Sequence, residues 1–154
     1  MLPFSHPGTR WWWTMPRLRQ RRFPRDRRSV GEARLYAVET LAEWGHLDRC
    51  DDVRLCISEL AANAVLHGVP AGREFCLSLI GRDDLVRVEV RDSGGGRPQV
   101  LEGHTDETGG RGLRLVMTLA DDFGVTAHSP GKTVWAVFKV QPPTASGVVC
   151  DGGE

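Results

Sequence analysis

Apolar residues recur at helical spacing in three stretches of this chain, and four short runs read as strands. The first helical stretch opens at Ser29-Val-Gly-Glu32, which has the spacing of a capping box. It carries Ala33, Ala37, Val38 and Leu41 and stops at Gly45. Asp51 or Asp52 is placed to cap the second, which carries Val53, Ile57, Leu60 and Ala64 and ends at Gly68, with Pro70 two residues on. Glu74–Ile80 sets Phe75, Leu77 and Leu79 on one face. In Leu85–Arg91, Val86, Val88 and Val90 alternate with Arg87 and Glu89. The turn-like residues 81–84 between these runs predict an antiparallel hairpin. A third helix is predicted over about 112–120, then strands at about 123–128 and 132–140 around Ser129-Pro-Gly131. The order helix, helix, hairpin, helix, hairpin predicts an α+β, two-layer sandwich: three helices on one face of a mixed, mostly antiparallel sheet.

Residues 22–141 form one domain on this reading, and the Pro-, Gly- and Ser-bearing segment 142–154 is a flexible tail. Residues 1–21 do not fit the pattern. Trp11, Trp12 and Trp13 precede Arg17, Arg19, Arg21 and Arg22, with prolines at 3, 7, 16 and 24 and no apolar period. They read as a disordered basic extension. The competing reading is an aromatic and basic element for a membrane surface or nucleic acid.

Charge sharpens that division. The chain has 154 residues, 40% of them apolar and 26% charged, with no net charge. The first 30 residues hold eight arginines against Asp26 alone, whereas residues 31–141 hold twelve basic and seventeen acidic residues. A mildly acidic domain gives no support to a nucleic-acid-binding surface there. No run of apolar residues is long enough to span a membrane, and the basic N-terminus lacks the apolar stretch of a signal peptide. The four cysteines (50, 56, 76 and 150) show neither CxxC nor zinc-ligand spacing. Cys56 and Cys76 lie in apolar runs as small core residues, which suits a reducing cytoplasm.

Three segments carry chemistry. On the second helix Glu59, Asn63 and His67 are four residues apart and form one polar stripe. Asn63 offers a neutral oxygen suited to Mg²⁺, which takes few protein ligands when phosphates and waters complete its shell. Glu59 is one turn away, placed as a general base toward a hydroxyl or water attacking a phosphate. A solvated helix face would carry the same three residues. Asp92 closes a strand and is followed by Gly94 and Gly96. Its carboxylate suits an exocyclic amine such as that of adenine, and the glycines let the backbone approach a flat base; a plain turn would also use Asp-x-Gly. Gly109, Gly110 and Gly112 open the third helix, whose free amides suit phosphate anions, and Arg111 adds a positive charge. A flexible loop is the alternative there. The three together describe a pocket for a nucleoside triphosphate.

The order Glu-x3-Asn-x3-His, Asp-x-Gly-x-Gly, Gly-x-Gly-Leu resembles the N, G1 and G2 boxes of the GHKL ATPase superfamily, which includes histidine kinases and gyrase-type ATPases. Ser58-Glu-Leu-Ala-Ala-Asn-Ala-Val-Leu-His-Gly68, Gly110-Arg-Gly-Leu-Arg-Leu-Val116 and Gly131-Lys-Thr-Val-Trp135 are similar to its stand-alone branch, the bacterial anti-sigma-factor serine/threonine kinases of actinomycete type. The resemblance covers roughly residues 22–140 and implies the Bergerat-type sandwich. It implies Glu59 as catalytic base, Asn63 as Mg²⁺ ligand, and Asp92 as the adenine contact, with Gly94 and Gly96 shaping the pocket. Gly110, Gly112 and Leu113 would form the lid hinge and phosphate site, beside the positive charge of Arg111. Thr133 would support the base or its bound water, and His67 would take a packing or phosphate-proximal role. The chain has no helix pair with a phospho-acceptor histidine, so it does not read as a complete sensor kinase.

The implied activity is transfer of phosphate from ATP to an anti-anti-sigma (STAS-type) protein in the cytoplasm, regulating transcription through a sigma factor, with a homodimer as the modest expectation. The alternative is a catalytically silent, ATP-gated protein-binding module. Neither reading calls for nucleic acid or a membrane as a partner.

Overall fold

The computed structural model describes residues 16–93 and 110–141. Five strands make one sheet: β1 (Arg17–Pro24), β2 (Glu74–Arg82), β3 (Leu85–Asp92), β4 (Asp122–Ala127) and β5 (Lys132–Lys139). Three helices, α1 (Arg28–Trp44), α2 (Cys50–Asn63) and α3 (Gly110–Leu119), cover one face. The strand order is β1-β2-β3-β5-β4. Every neighbouring pair is antiparallel, so the sheet expected to be mostly antiparallel is antiparallel throughout. Helix α1 lies against β1 and β2, α2 against β3, and α3 against β4, with α2 packed between the other two.

Alternation puts the core on the helix side. Phe75, Leu77 and Leu79 of β2, Val86, Val88 and Val90 of β3, and Val134, Ala136 and Phe138 of β5 are all buried. They meet Ala33, Ala37 and Leu41 of α1 and Val53, Ile57 and Leu60 of α2, as helical spacing requires. Phe23 stacks on Phe75 with ring centroids 5.5 Å apart. Gly81 makes room for Trp44: a Cβ there would lie 2.7 Å from the indole.

Strand β1 corrects the domain boundary at its N-terminal side. Residues 17–21, expected in a disordered extension, pair with Leu77–Gly81 of β2. Only Phe23 of this strand is buried, so no apolar alternation marks it. Its helix-facing positions are arginines instead. The Arg17 guanidinium lies 5.9 Å from the Trp44 ring and that of Arg21 4.7 Å from the Phe23 ring, while Arg19 pairs with Glu43. Long basic side chains cover aromatic surface with their stems and keep their charges at the margin. Residues 1–15 and 142–154 lie outside the described residues.

The helix ends differ in detail from their sequence signals. Ser29 does not cap α1; its hydroxyl donates to the Pro24 carbonyl (2.6 Å), and Asp26 Oδ1 accepts from the Arg28 amide (2.9 Å). Buried Ser29 spends its hydroxyl on tying the helix to β1, and the N-cap position falls to Arg27, which makes no side-chain cap bond. Gly45 ends α1 as expected, at φ 80°. Asp51 and Asp52 sit inside the first turn of α2, after a 3₁₀ turn at Leu47–Arg49, and Asp52 accepts from Arg49 Nε (3.1 Å). Helix α2 runs on into a π turn, Ala64–Gly68, closed by the Val69 amide on the Ala64 carbonyl (2.9 Å).

Candidate nucleotide-binding site

The sheet brings one end of four strands together under the C-terminal end of α2. Strands β1 and β3 finish there, β2 and β5 begin there, and the π turn packs against β3. Arg25 Nε donates to the Val65 carbonyl (3.0 Å), fastening the turn to the end of β1. A π turn widens the helix by one residue per turn and re-aims the side chains that follow, a device that recurs at functional sites.

Glu59 and Asn63 are half-buried on α2, and His67 is exposed in the π turn. The buried stripe of α2, Val53, Cys56, Ile57, Leu60 and Ala61, occupies the sheet-facing side and leaves the polar stripe beside it. Among the described residues none of Glu59, Asn63 and His67 forms an ion pair or a side-chain hydrogen bond, so the carboxylate and the amide oxygen retain their acceptor capacity. No cluster of three His, Cys, Asp or Glu side chains suited to a metal occurs among the described residues. A single neutral amide oxygen at Asn63 fits a magnesium ion whose other ligands are phosphate and water oxygens.

Asp92 is 4% exposed at the end of β3, on the same face as Val90 and Val88 and so toward the helices. Directly opposite on β5 stands Lys132, 6% exposed, with Nζ 2.9 Å from Asp92 Oδ2. Gly131 precedes it at φ 92°, and a Cβ there would fall 2.1 Å from the Asp92 carbonyl oxygen. The carboxylate is thus fixed by its strand, by a buried ammonium and by a backbone contact only glycine permits. Lys132 escaped the sequence reading because its signal is a register between β3 and β5, which are far apart in sequence with α3 and β4 between them.

Gly110, Arg111 and Gly112 form the first turn of α3, and Leu113 is buried in the core at 4% exposure. Helix α3 packs on α2, which brings this first turn and the Glu59 helix into one layer. Thr133 stands elsewhere. Its neighbours in register are Arg91 and Thr126, on the face away from the helices, and its hydroxyl lies 2.7 Å from His128 Nε2. The structure places it next to Lys132 in sequence but across the sheet from Asp92. Gly94 and Gly96 lie outside the described residues.

A layer of three helices on an antiparallel sheet, with an acid and an amide one turn apart on the central helix and a buried acid at a strand end beneath it, defines a nucleotide-binding domain of the GHKL type. The family profile of the histidine kinase-like ATPase domain matches residues 23–138, and the chain belongs to that family. Membership implies that ATP is the ligand of the site. No curated protein matches the chain. No helix among the described residues is long and apolar enough to cross a membrane.

Proposed function

We propose that the chain is an ATP-dependent protein serine/threonine kinase that phosphorylates an anti-anti-sigma (STAS-type) partner in the cytoplasm and so regulates transcription through a sigma factor. The observation that carries this reading is the pair Glu59 and Asn63, one helical turn apart, half-buried and without side-chain hydrogen bonds or ion pairs among the described residues. Transfer to a hydroxyl needs a base for its proton and a cation for the phosphates. Glu59 accepts the proton of the partner serine as its oxygen bonds to the γ-phosphorus and the bond to ADP breaks. Asn63 supplies the protein ligand of Mg²⁺, which neutralises phosphate charge when bound. Asp92 accepts from the adenine amino group, and the first turn of α3, with Arg111, receives the phosphates. His67 stands one turn beyond Asn63 in a phosphate-proximal place.

The test uses labelled Mg-ATP with candidate partners. Transfer of label to a partner serine is expected, abolished by Glu59→Ala while ATP still binds. Undiminished transfer by Glu59→Ala removes Glu59 as the base. Partner capture that needs ATP while no label moves replaces the kinase by an ATP-gated binding module.

A further inference from the structure

The face of the sheet turned away from the helices holds a cavity that shares only Asp92 with the nucleotide site. Its volume is about 670 Å³, and it lies over β1, β2 and β3 at the end where β3 finishes, reaching Asp92 and Ser93. Register identifies the side chains on this face. Arg22 stands opposite Cys76, and Cys76 opposite Arg91, so the two arginines flank one cysteine across three strands. At the usual strand spacing their Cα atoms are roughly 10 Å apart. Arg73, immediately before β2, adds a third guanidinium and Gln20 a neutral amide, while the Arg21 guanidinium, from a fourth arginine of the lining, is turned to the Phe23 ring on the helix side.

These guanidiniums differ from others in the fold. Arg19 pairs with Glu43, Arg49 with Asp52 and Asp121, and Arg87 with Glu89. Arg22, Arg73 and Arg91 are exposed and have no ion pair or side-chain hydrogen bond among the described residues. Glu74 is the one carboxylate that shares their face in the lining, so positive charge exceeds negative. Three like charges around one concavity repel, and a ligand carrying several acidic groups relieves that repulsion while gaining bidentate hydrogen bonds.

We infer that this cavity is a docking site for an acidic segment of a protein partner, distinct from the nucleotide pocket. Size selects a segment over a lone oxyanion: 670 Å³ is the share of roughly twenty water molecules. The spacing of Arg22 and Arg91 fits carboxylates on separate residues, and Glu74, the next residue of β2 on the same face as Cys76, disfavours one dense charge. Arg91 and Asp92 are consecutive on β3 and project to opposite faces, so the segment would sit back to back with the adenine contact across a single strand.

The test is fluorescence anisotropy of the full chain with a labelled peptide of alternating glutamate and glycine, beside its glutamine counterpart and inorganic pyrophosphate. The glutamate peptide binds and the glutamine peptide does not. R22E/R91E weakens binding by about tenfold or more. R82E, an equal charge change per site on the same face at the far end of β2, changes it less than about twofold. The neutral pair R22Q/R91Q, with its fold checked by circular dichroism, serves where the reversal disturbs the sheet. No peptide binding by the wild-type chain, equal losses in R82E and R22E/R91E, or pyrophosphate binding that excludes the peptide each overturns the assignment.

Discussion

Asp92 and Lys132 face each other across β3 and β5 with Nζ 2.9 Å from Oδ2, their side chains 4% and 7% exposed. They interrupt a row of valines: the next inward pair on the same face is Val90 and Val134. Removing one member of such a pair leaves the other charge buried and poorly compensated, whereas removing both leaves two groups of modest polarity. Lys132→Met is therefore expected to lower unfolding free energy by about 3–5 kcal/mol, and Asp92→Asn/Lys132→Met to recover a large part of it. Urea unfolding of the four proteins without nucleotide measures the coupling. Additive single losses would mean that the pair does not act as a unit.

Gly131 and Gly72 share a positive φ, 92° and 79°, but not their surroundings. A Cβ on Gly72 meets nothing within 4 Å, whereas one on Gly131 falls 2.1 Å from the Asp92 carbonyl oxygen and 2.9 Å from Ser93 Cα. Gly72→Ala carries the backbone penalty alone, about 1–2 kcal/mol. Gly131→Ala adds a clash with backbone that must move, for a loss of about 3–5 kcal/mol. It also shifts Asp92, so ATP affinity falls in Gly131→Ala and holds in Gly72→Ala. Thermal unfolding and nucleotide titration of both variants check this.

The parts of this fold that were readable in advance are those where one face is buried and the other wet. Val86, Val88 and Val90 against Arg87 and Glu89 announced β3 and its sidedness, and Gly45 announced the end of α1. Strand β1 stayed hidden because its helix-facing positions 17, 19 and 21 are arginines, held by Trp44 and Glu43, which are distant in sequence, and by Phe23 of the same strand. The same limit applies at the site. Glu59, Asn63 and His67 are local in sequence and so were legible as one stripe. Lys132 beside Asp92, Thr133 on the opposite face, and Arg22 and Arg91 on either side of Cys76 are consequences of register, which residue patterns within single segments do not encode.

Arg49 ties α2 to the end of α3 and to β5. Its guanidinium donates to Asp52 Oδ2 (3.1 Å), Asp121 Oδ2 (2.9 Å), and the carbonyls of Lys139 and Leu119 (both 2.8 Å), and it lies 5.3 Å from the Phe138 ring. Lysine cannot reproduce that fork. Arg49→Ala is expected to cost about 2–3 kcal/mol, with Arg49→Lys recovering less than about half. The Lys139 amide and then the Arg49 guanidinium hold the Asp121 carboxyl below its ordinary 3.8. A depressed carboxylate stabilises the fold above its unfolded value and loses that contribution as pH falls through the folded one. Wild type should thus lose stability below about pH 3.8, and Arg49→Ala should show a shallower loss, as read from unfolding midpoints across that range.

Cys56 is fully buried between α2 and the core, and burial, followed by the charge of Asp52, pushes its thiol up to about 12 from an ordinary 9.0. The thiolate is the reactive form, so a neutral buried thiol is inert to alkylation. At pH 8, labelling of Cys56 in the folded chain should require global opening, with a rate that rises in parallel with denaturant-induced unfolding, while half-buried Cys76 reacts ahead of it. The linkage has a definite sign. The unfolded thiol ionises above about 9 and the folded one resists until about 12, so the unfolded state binds fewer protons between those values and stability falls as pH rises through them. Cys56→Ala removes that slope and leaves a small cavity, lowering stability at neutral pH by about 1 kcal/mol. Mass spectrometry of alkylated peptides, together with unfolding curves at pH 7, 9 and 11, separates the two effects. A Cys56 that labels as fast as Cys76 in the native state would contradict its place in the core.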